Sequence, residues 1–196
     1  MARTSTIERN TNETKIKLDF NIDGTGKAEI DSGVGFFDHM MHGFARHGLF
    51  DVRLKVKGDL EVDCHHTIED TGIVLGNAIR EAAGDKKGIK RYGSCILPMD
   101  EALVLCAVDL SGRPYLVFDA NFTADRCGDM DTEMAREFFY AVSYAGAMNL
   151  HIKVLYGTNN HHIMEAMFKA FGRTLAKASA VDPDHADEIP STKGVL

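Results

Sequence analysis

The sequence predicts an α/β (α+β) fold made of two internally duplicated half-domains, each a β-sheet with two helices. Two observations carry this. Segments with strand alternation and segments with helical spacing follow one another in the same order twice. Individual positions also keep register. Glu13, Gly24 and Asp31 map onto Glu101, Gly112 and Asp119 at one constant offset, and His65, His66 and Glu69 map onto His161, His162 and Glu165 at a slightly larger one.

In the first unit, residues 14–22 (TKIKLDFNI) alternate apolar and polar, the turn Asp23-Gly24-Thr25-Gly26 follows, and KAEID alternates again, which reads as a β-hairpin. A helix is expected over 36–48, where Phe36, Met40 and Phe44, with Phe37 and Met41, recur at i, i+4 and Gly48 supplies a stop. DVRLKVKG and DLEVD read as strands, and 67–83 as a second helix. In the second unit, 101–110 leads through Ser111-Gly112-Arg113-Pro114 into the strand YLVFD. A helix at about 131–147, the strand LHIKVLYG and a helix at about 161–180 follow. The extra length of the second unit falls in ANFTADRCGDMD, read as a flexible loop. The charged linker at 85–92 separates residues 1–90 from 91–196, and the tail PDHADEIPSTKGVL reads as polar and irregular.

With 196 residues, 44% hydrophobic and 26% charged, the composition is that of an ordinary globular chain. No apolar run approaches the roughly 18 residues of a membrane span, and the N-terminal residues lack the apolar stretch of a secretory signal. Four scattered cysteines without CxxC spacing are then expected to be reduced thiols in a cytoplasmic protein. A net charge of −7 argues against general nucleic-acid binding, while leaving room for a local basic cluster around an anion.

The most specific signal is a duplicated His-His-x-x-Glu. On a helix, residues four apart share a face, so His65 with Glu69, and His161 with Glu165, can each chelate an ion. Adjacent histidines point roughly 100° apart, so each pair serves two different ions that need further ligands. His39 on the first helix is a candidate, as is its repeat mate Glu137. A single HH pair is an ordinary surface feature; two copies with the same Glu spacing at equivalent repeat positions indicate metal. Imidazole and carboxylate without thiolate suit Mn²⁺ or Fe²⁺, and Zn²⁺, Co²⁺ and Ni²⁺ are compatible. Cys64, beside His65, reads as a small buried thiol. Arg91, Arg113, Lys169 and Lys193, with Ser191 and Thr192, form a candidate phosphate cradle, because Arg binds phosphate bidentately and Lys as a point charge.

The segments FFDHMMHGFARHGLFD, CHHTIEDTGI, KGIKRYG, PMDEAL, DLSGRPY, LHIKVLYGTNNHHIMEAMFKAFGR and PSTKGVL closely resemble the imidazoleglycerol-phosphate dehydratase family, in order and over nearly the whole chain. The resemblance implies helices packed between β-sheets, a homo-oligomeric shell of about 24 subunits, two Mn²⁺ ions per site, and active sites where protomers meet. By motif match, metal ligands fall on His39, His65, His66, Glu69, His161, His162 and Glu165, and substrate contacts on Glu13, His47, Arg91, Arg113, Lys169, Ser191 and Lys193. Some relatives have His where this chain has Glu137. His151 also lies in a matching motif, but its strand position suggests a structural role.

The implied reaction converts imidazole glycerol phosphate to imidazole acetol phosphate and water through a metal-stabilised imidazolate. Glu13, His39, His66 and Glu165 form the expected catalytic set, with Glu13 the leading proton-transfer group and Glu101 its reserve. A two-metal hydrolase of a small phosphorylated substrate and a non-catalytic metal-assembled shell are the alternatives. Neither a nucleic acid nor a membrane is an expected partner.

Overall fold

Along the second strand, Thr14, Ile16, Leu18 and Phe20 turn inward, while Lys15 and Lys17 stay in solvent. The computed structural model describes residues 2–196. Its first half contains β1 (Thr4–Asn10), β2 (Thr14–Asn21), β3 (Ala28–Asp31), α1 (Gly35–Gly48), β4 (Asp51–Gly58) and α2 (His65–Ala83). The second half contains β5 (Tyr92–Met99), β6 (Ala102–Asp109), β7 (Tyr115–Asp119), the short pair β8 (Arg126–Cys127) and β9 (Met130–Asp131), α3 (Met134–Ala145), β10 (Asn149–Tyr156) and α4 (Asn160–Ser179).

The two main sheets share one topology. Their strand orders are β1-β2-β4-β3 and β5-β6-β10-β7, with a parallel pair at the last position of each. This corrects the expected hairpins: β2 and β3 do not pair, because β4 returns through α1 and inserts between them. β6 and β7 are likewise separated by β10.

Other expectations also change. DLEVD is a turn rather than a strand, closed by Val62 N–H donating to the Asp59 carbonyl, with Val62 exposed. The helix expected at 131–147 is shorter, Met134–Ala145, because Thr132 and the β8–β9 hairpin occupy its start. The loop read as flexible contains that hairpin, and its Met130 is buried. The linker and tail hold each other: Gly88 N–H donates to Glu188 O, and Asp182 N–H to Gly88 O.

Helices fill the space between the sheets. α2 lies on β1 and β2, and α4 on β5 and β6, while α1 packs against α4 and α3 against α2. Phe37 of α1, Phe138 and Phe139 of α3, and Phe168 of α4 form an aromatic cluster with ring centroids 5.0–6.3 Å apart. Each fully buried ring of this kind is worth about 2–3 kcal/mol of transfer free energy.

The helix crossings repeat as well. A Cβ on Gly76 would stand 2.6 Å from the Val142 carbonyl oxygen and 2.7 Å from Gly146 N. One on its repeat mate Gly172 would stand 2.5 Å from Phe44 O and 3.1 Å from Gly48 N. The outer sheet faces differ. That of the first sheet carries Glu8, Lys15, Lys17, Arg53, Lys55 and Lys57, whereas that of the second mixes Ile96, Leu105, Val117 and Leu155 with His151 and the Lys153–Asp119 ion pair.

Candidate metal centre and anion cleft

Both His-His pairs open a helix. Asn159 caps α4 by accepting from His161 N (2.9 Å) and His162 N (3.3 Å), and Asp63 accepts from His65 N (2.7 Å) at the start of α2. Asp129, from the β8–β9 turn, accepts from Gly35 N and Phe36 N and so fixes the start of α1, which carries His39.

These anchors bring His39, His161 and Glu165 together, with their donor atoms all within 4.8 Å of one another. Glu165 Oε2 is 3.2 Å from His161 Nε2 and 3.6 Å from His39 Nε2. Adjacent ligands on an octahedral ion with bonds of about 2.1 Å stand about 3 Å apart, so this nitrogen and oxygen set fits a divalent cation. In the first half, His65 Nε2 and Glu69 Oε2 form a looser pair at 3.8 Å. Within each pair the second histidine turns away, with ring centroids 6.1 Å apart and planes at 76° in both copies.

The other oxygen of Glu165 meets Lys169 Nζ at 2.6 Å. Burial opposes ionisation of Glu165, but the Lys169 ammonium, helped by His39 and His161, outweighs it and holds the carboxyl below its ordinary range. Lys169 also lines a cleft of about 740 Å³ with His47, Arg173 and Lys177. His47 is pushed to lower pKa, first by burial and then by the neighbouring charges of Lys169 and Arg173. The rest of the lining is uncharged and comes from β5 and β6, and three cations with an imidazole along one cleft suit an anionic group.

The remaining basic candidates gather elsewhere. Arg91 donates to Asp109 from Nε (2.7 Å) and Nη2 (3.2 Å) and to the Pro190 carbonyl from Nη1 (2.8 Å). It thus anchors the tail bearing Ser191, Thr192 and Lys193, with two guanidinium hydrogens left for a ligand. Gly112, beside Arg113, lies against the C-terminal Leu196. Within one chain the anion candidates therefore form two groups, His47 with Lys169, and Arg91 and Arg113 with the tail.

The sequence model of imidazoleglycerol-phosphate dehydratase matches residues 32–175. The chain is 61% identical to the imidazoleglycerol-phosphate dehydratase of Lachnoclostridium phytofermentans over 196 residues, all of both chains. It is 59% identical to that of Acetivibrio thermocellus, again over the whole of both. The chain belongs to the imidazoleglycerol-phosphate dehydratase family of hydro-lyases. Solved structures agree. The Staphylococcus aureus imidazoleglycerol-phosphate dehydratase gives a TM-score of 0.83 at 37% identity, covering 91% of this chain and 99% of that one. The Pyrococcus furiosus enzyme, solved in complex with (S)-C348, gives 0.83 at 37%, covering 97% and 100%.

Against this family frame, Glu13 stands at the turn into β2, with Oε1 3.9 Å from His66 Nε2. Its side-chain carboxylate accepts no hydrogen bond among the described residues, and it is exposed. Glu101 is engaged differently, accepting from His162 Nδ1 (2.7 Å), Asn159 N (2.7 Å) and Thr158 N (3.1 Å). The His162 bond first, then the backbone donors, hold its carboxyl at about 2, and these three bonds leave it less free than Glu13. Glu137 meets Arg136 at 3.1 Å and joins no three-residue ligand cluster among the described residues. Cys64 is buried, its thiol 3.7 Å from Asp131 and pushed up in pKa by burial. His151 projects from the exposed face of β10.

Sequence reading missed Arg173 and Lys177. Their signal was present, since positions 161, 165, 169, 173 and 177 form a single i, i+4 stripe along α4. Also missed were Asp129, whose role depends on a contact across the sequence, and Asp59, which accepts from His66 Nδ1 at 2.9 Å.

Proposed function

We propose that this chain dehydrates imidazole glycerol phosphate to imidazole acetol phosphate and water in histidine biosynthesis. One observation carries the reading. Glu165 faces His39 and His161 with one oxygen and Lys169 with the other, so a cation-binding set adjoins an anion-binding cleft. A substrate with an imidazole at one end and a phosphate at the other matches that arrangement.

The residues divide the work by chemistry. Lys169, Arg173 and Lys177, with Arg91, Arg113, Ser191, Thr192 and Lys193, supply the charge and donors that orient the phosphate. His39, His161 and Glu165 would hold one divalent ion, Mn²⁺ by donor type, and His65 with Glu69 the core of a second, with His66 and His162 completing the shells. Bound there, the ions supply Lewis acidity that stabilises negative charge on the imidazole. Glu13, free of other bonds and beside His66, moves the proton; a C–H proton and a hydroxyl leave together as water.

The active form in this reading is a homo-oligomer of about 24 subunits with sites shared between protomers. Three ligands leave an octahedral shell unfinished, and the exposed Ile96, Val117 and Leu155 on the outer face of the second sheet offer apolar area for association. The compartment is the cytoplasm. No helix among the described residues is long and apolar enough to cross a membrane.

The test is to mix purified protein, Mn²⁺ and imidazole glycerol phosphate and read the enol of the product at high pH by ultraviolet absorbance. Metal-dependent absorbance is expected. Release of inorganic phosphate instead would assign a hydrolase, and no turnover with bound Mn²⁺ would leave a metal-assembled shell.

A further inference from the structure

We propose that Asp59 and Glu101 are positioning residues, each gripping Nδ1 of the second histidine in a His-His pair so that its Nε2 is presented to a metal ion. This rests on the metal reading above and concerns residues outside the ligand set.

In each pair the first histidine faces the glutamate on its own helix, His65 toward Glu69 and His161 toward Glu165. The second is held by an acid from elsewhere: His66 Nδ1 lies 2.9 Å from Asp59 Oδ2, and His162 Nδ1 lies 2.7 Å from Glu101 Oε2. An N–H at Nδ1 donating to a carboxylate fixes the tautomer with its lone pair on Nε2. It also fixes the ring plane and increases the basicity of the free nitrogen.

The two acids are not repeat mates. Asp59 follows β4 in the approach to α2, whereas Glu101 lies in the β5–β6 turn. The repeat mate of Glu101 is Glu13, which is near the opposite edge of His66, 3.9 Å from Nε2. Two unrelated backbone positions thus make the same bond to the same nitrogen of equivalent histidines. Inheritance from a duplicated unit does not produce that; a shared requirement at the histidine does. In the first half, Asp59 carries the orienting task, which leaves Glu13 free.

The supports around each acid fit the role. Glu101 Oε1 is pinned by the N–H groups of Thr158 and Asn159. Asp59 keeps Oδ1 buried without a hydrogen-bond partner among the described residues, an arrangement that is unfavourable unless its other oxygen has a specific task.

Glu101→Gln is the sharp variant. Its amide oxygen must stay on the two backbone donors, so the NH₂ group faces His162 Nδ1 and forces the proton onto Nε2. The readout is Mn²⁺ binding to the full-length protein, followed by the electron paramagnetic resonance signal of free Mn²⁺. Glu101→Gln and Asp59→Ala should each weaken one class of site by about 10–100-fold. Glu101→Gln should add no further loss in a His162→Ala background, nor Asp59→Ala in a His66→Ala background. Wild-type affinity in both single variants, or equal losses with and without the histidines, would overturn the proposal. Failure of the wild-type protein to bind Mn²⁺ would instead remove the metal reading on which it stands.

Discussion

Asp70 is the residue that ties the Glu13 turn to the helix of the first His-His pair. It is buried, and it accepts from Arg9 Nε (3.1 Å) and Nη2 (2.9 Å) with one oxygen and from the Thr14 hydroxyl with the other. Strand β1, the turn before β2 and the first turns of α2 thus meet at one carboxylate. Asp70→Ala leaves the buried Thr14 hydroxyl with only Thr11 Oγ1, at 3.2 Å, and the half-exposed Arg9 discounts the ionic part, so the expected loss is about 1–3 kcal/mol by urea denaturation. Turnover should fall as well, since Glu13 loses its anchorage. Other carboxylates set the acid limit. Arg3 lowers the carboxyl of Asp23, backbone N–H donors from Thr25 and Lys27 lower that of Asp51, and Glu101 sits at about 2 against an ordinary 4.5. A depressed folded-state pKa gives stability that is complete above the unfolded value and lost as pH falls through the folded one. Metal-free protein should therefore lose its urea midpoint progressively as pH falls from about 5 toward 2. A midpoint that stays level through pH 3 would show that these bonds contribute nothing.

At the scale of elements, the helix crossings are the least tolerant contacts. Gly76→Ala and Gly172→Ala each drive a methyl toward a backbone carbonyl that cannot rotate aside. Overpacking of this kind costs about 1–3 kcal/mol, which in a chain of this size lowers Tm by about 2–4 °C per kcal/mol. Calorimetry on the two variants should give similar drops, because the crossings are equivalent. The four helices were legible in the sequence because their buried residues recur at i and i+4, as Phe37, Met41 and Met40, Phe44 do in α1. Strands β1 and β5 were not. β1 turns Ser5 and Arg9 inward, and hydrogen bonds to Ala78 O and Asp70 satisfy them, so hydropathy shows no period. β5 is apolar on both faces, with Leu97 inward and Ile96 outward, which hides the alternation. DLEVD failed for the converse reason, alternating without burying either of its apolar side chains, Leu60 and Val62. The hairpin error came from assuming that neighbours in sequence pair in the sheet. Candidate ligands on one helix face could be read from spacing; the contacts of Asp129 and Glu101 span distant segments, and that of Asp59 depends on how the turn before α2 folds back on His66, so these could not.

For the whole molecule, metal and assembly should be coupled. When ions are completed by ligands from different protomers, their binding energy is also association energy. In the proposed shell of about 24 subunits, chelation, or mildly acidic pH that protonates the histidines, should yield smaller oligomers in sedimentation. A particle unchanged after verified metal removal would refute shared sites. The order of helix packing has a consequence of its own. Each half keeps its sheet to itself, yet α1 rests on α4 and α2 on α3, so every helix finds its helical neighbour in the other half. A half standing alone would expose the crossing faces of both its helices, including Gly76 or Gly172, and could cover them only by exchanging helices with another copy of itself. The covalent link through residues 85–92 turns that encounter into an intramolecular one at an effective concentration on the order of millimolar. Joined in this way, the chain is in physical terms a tethered dimer. Its two halves are free to diverge because neither must any longer recognise its own twin, and the differing contacts of Glu13 and Glu101 with their histidines are that freedom in use.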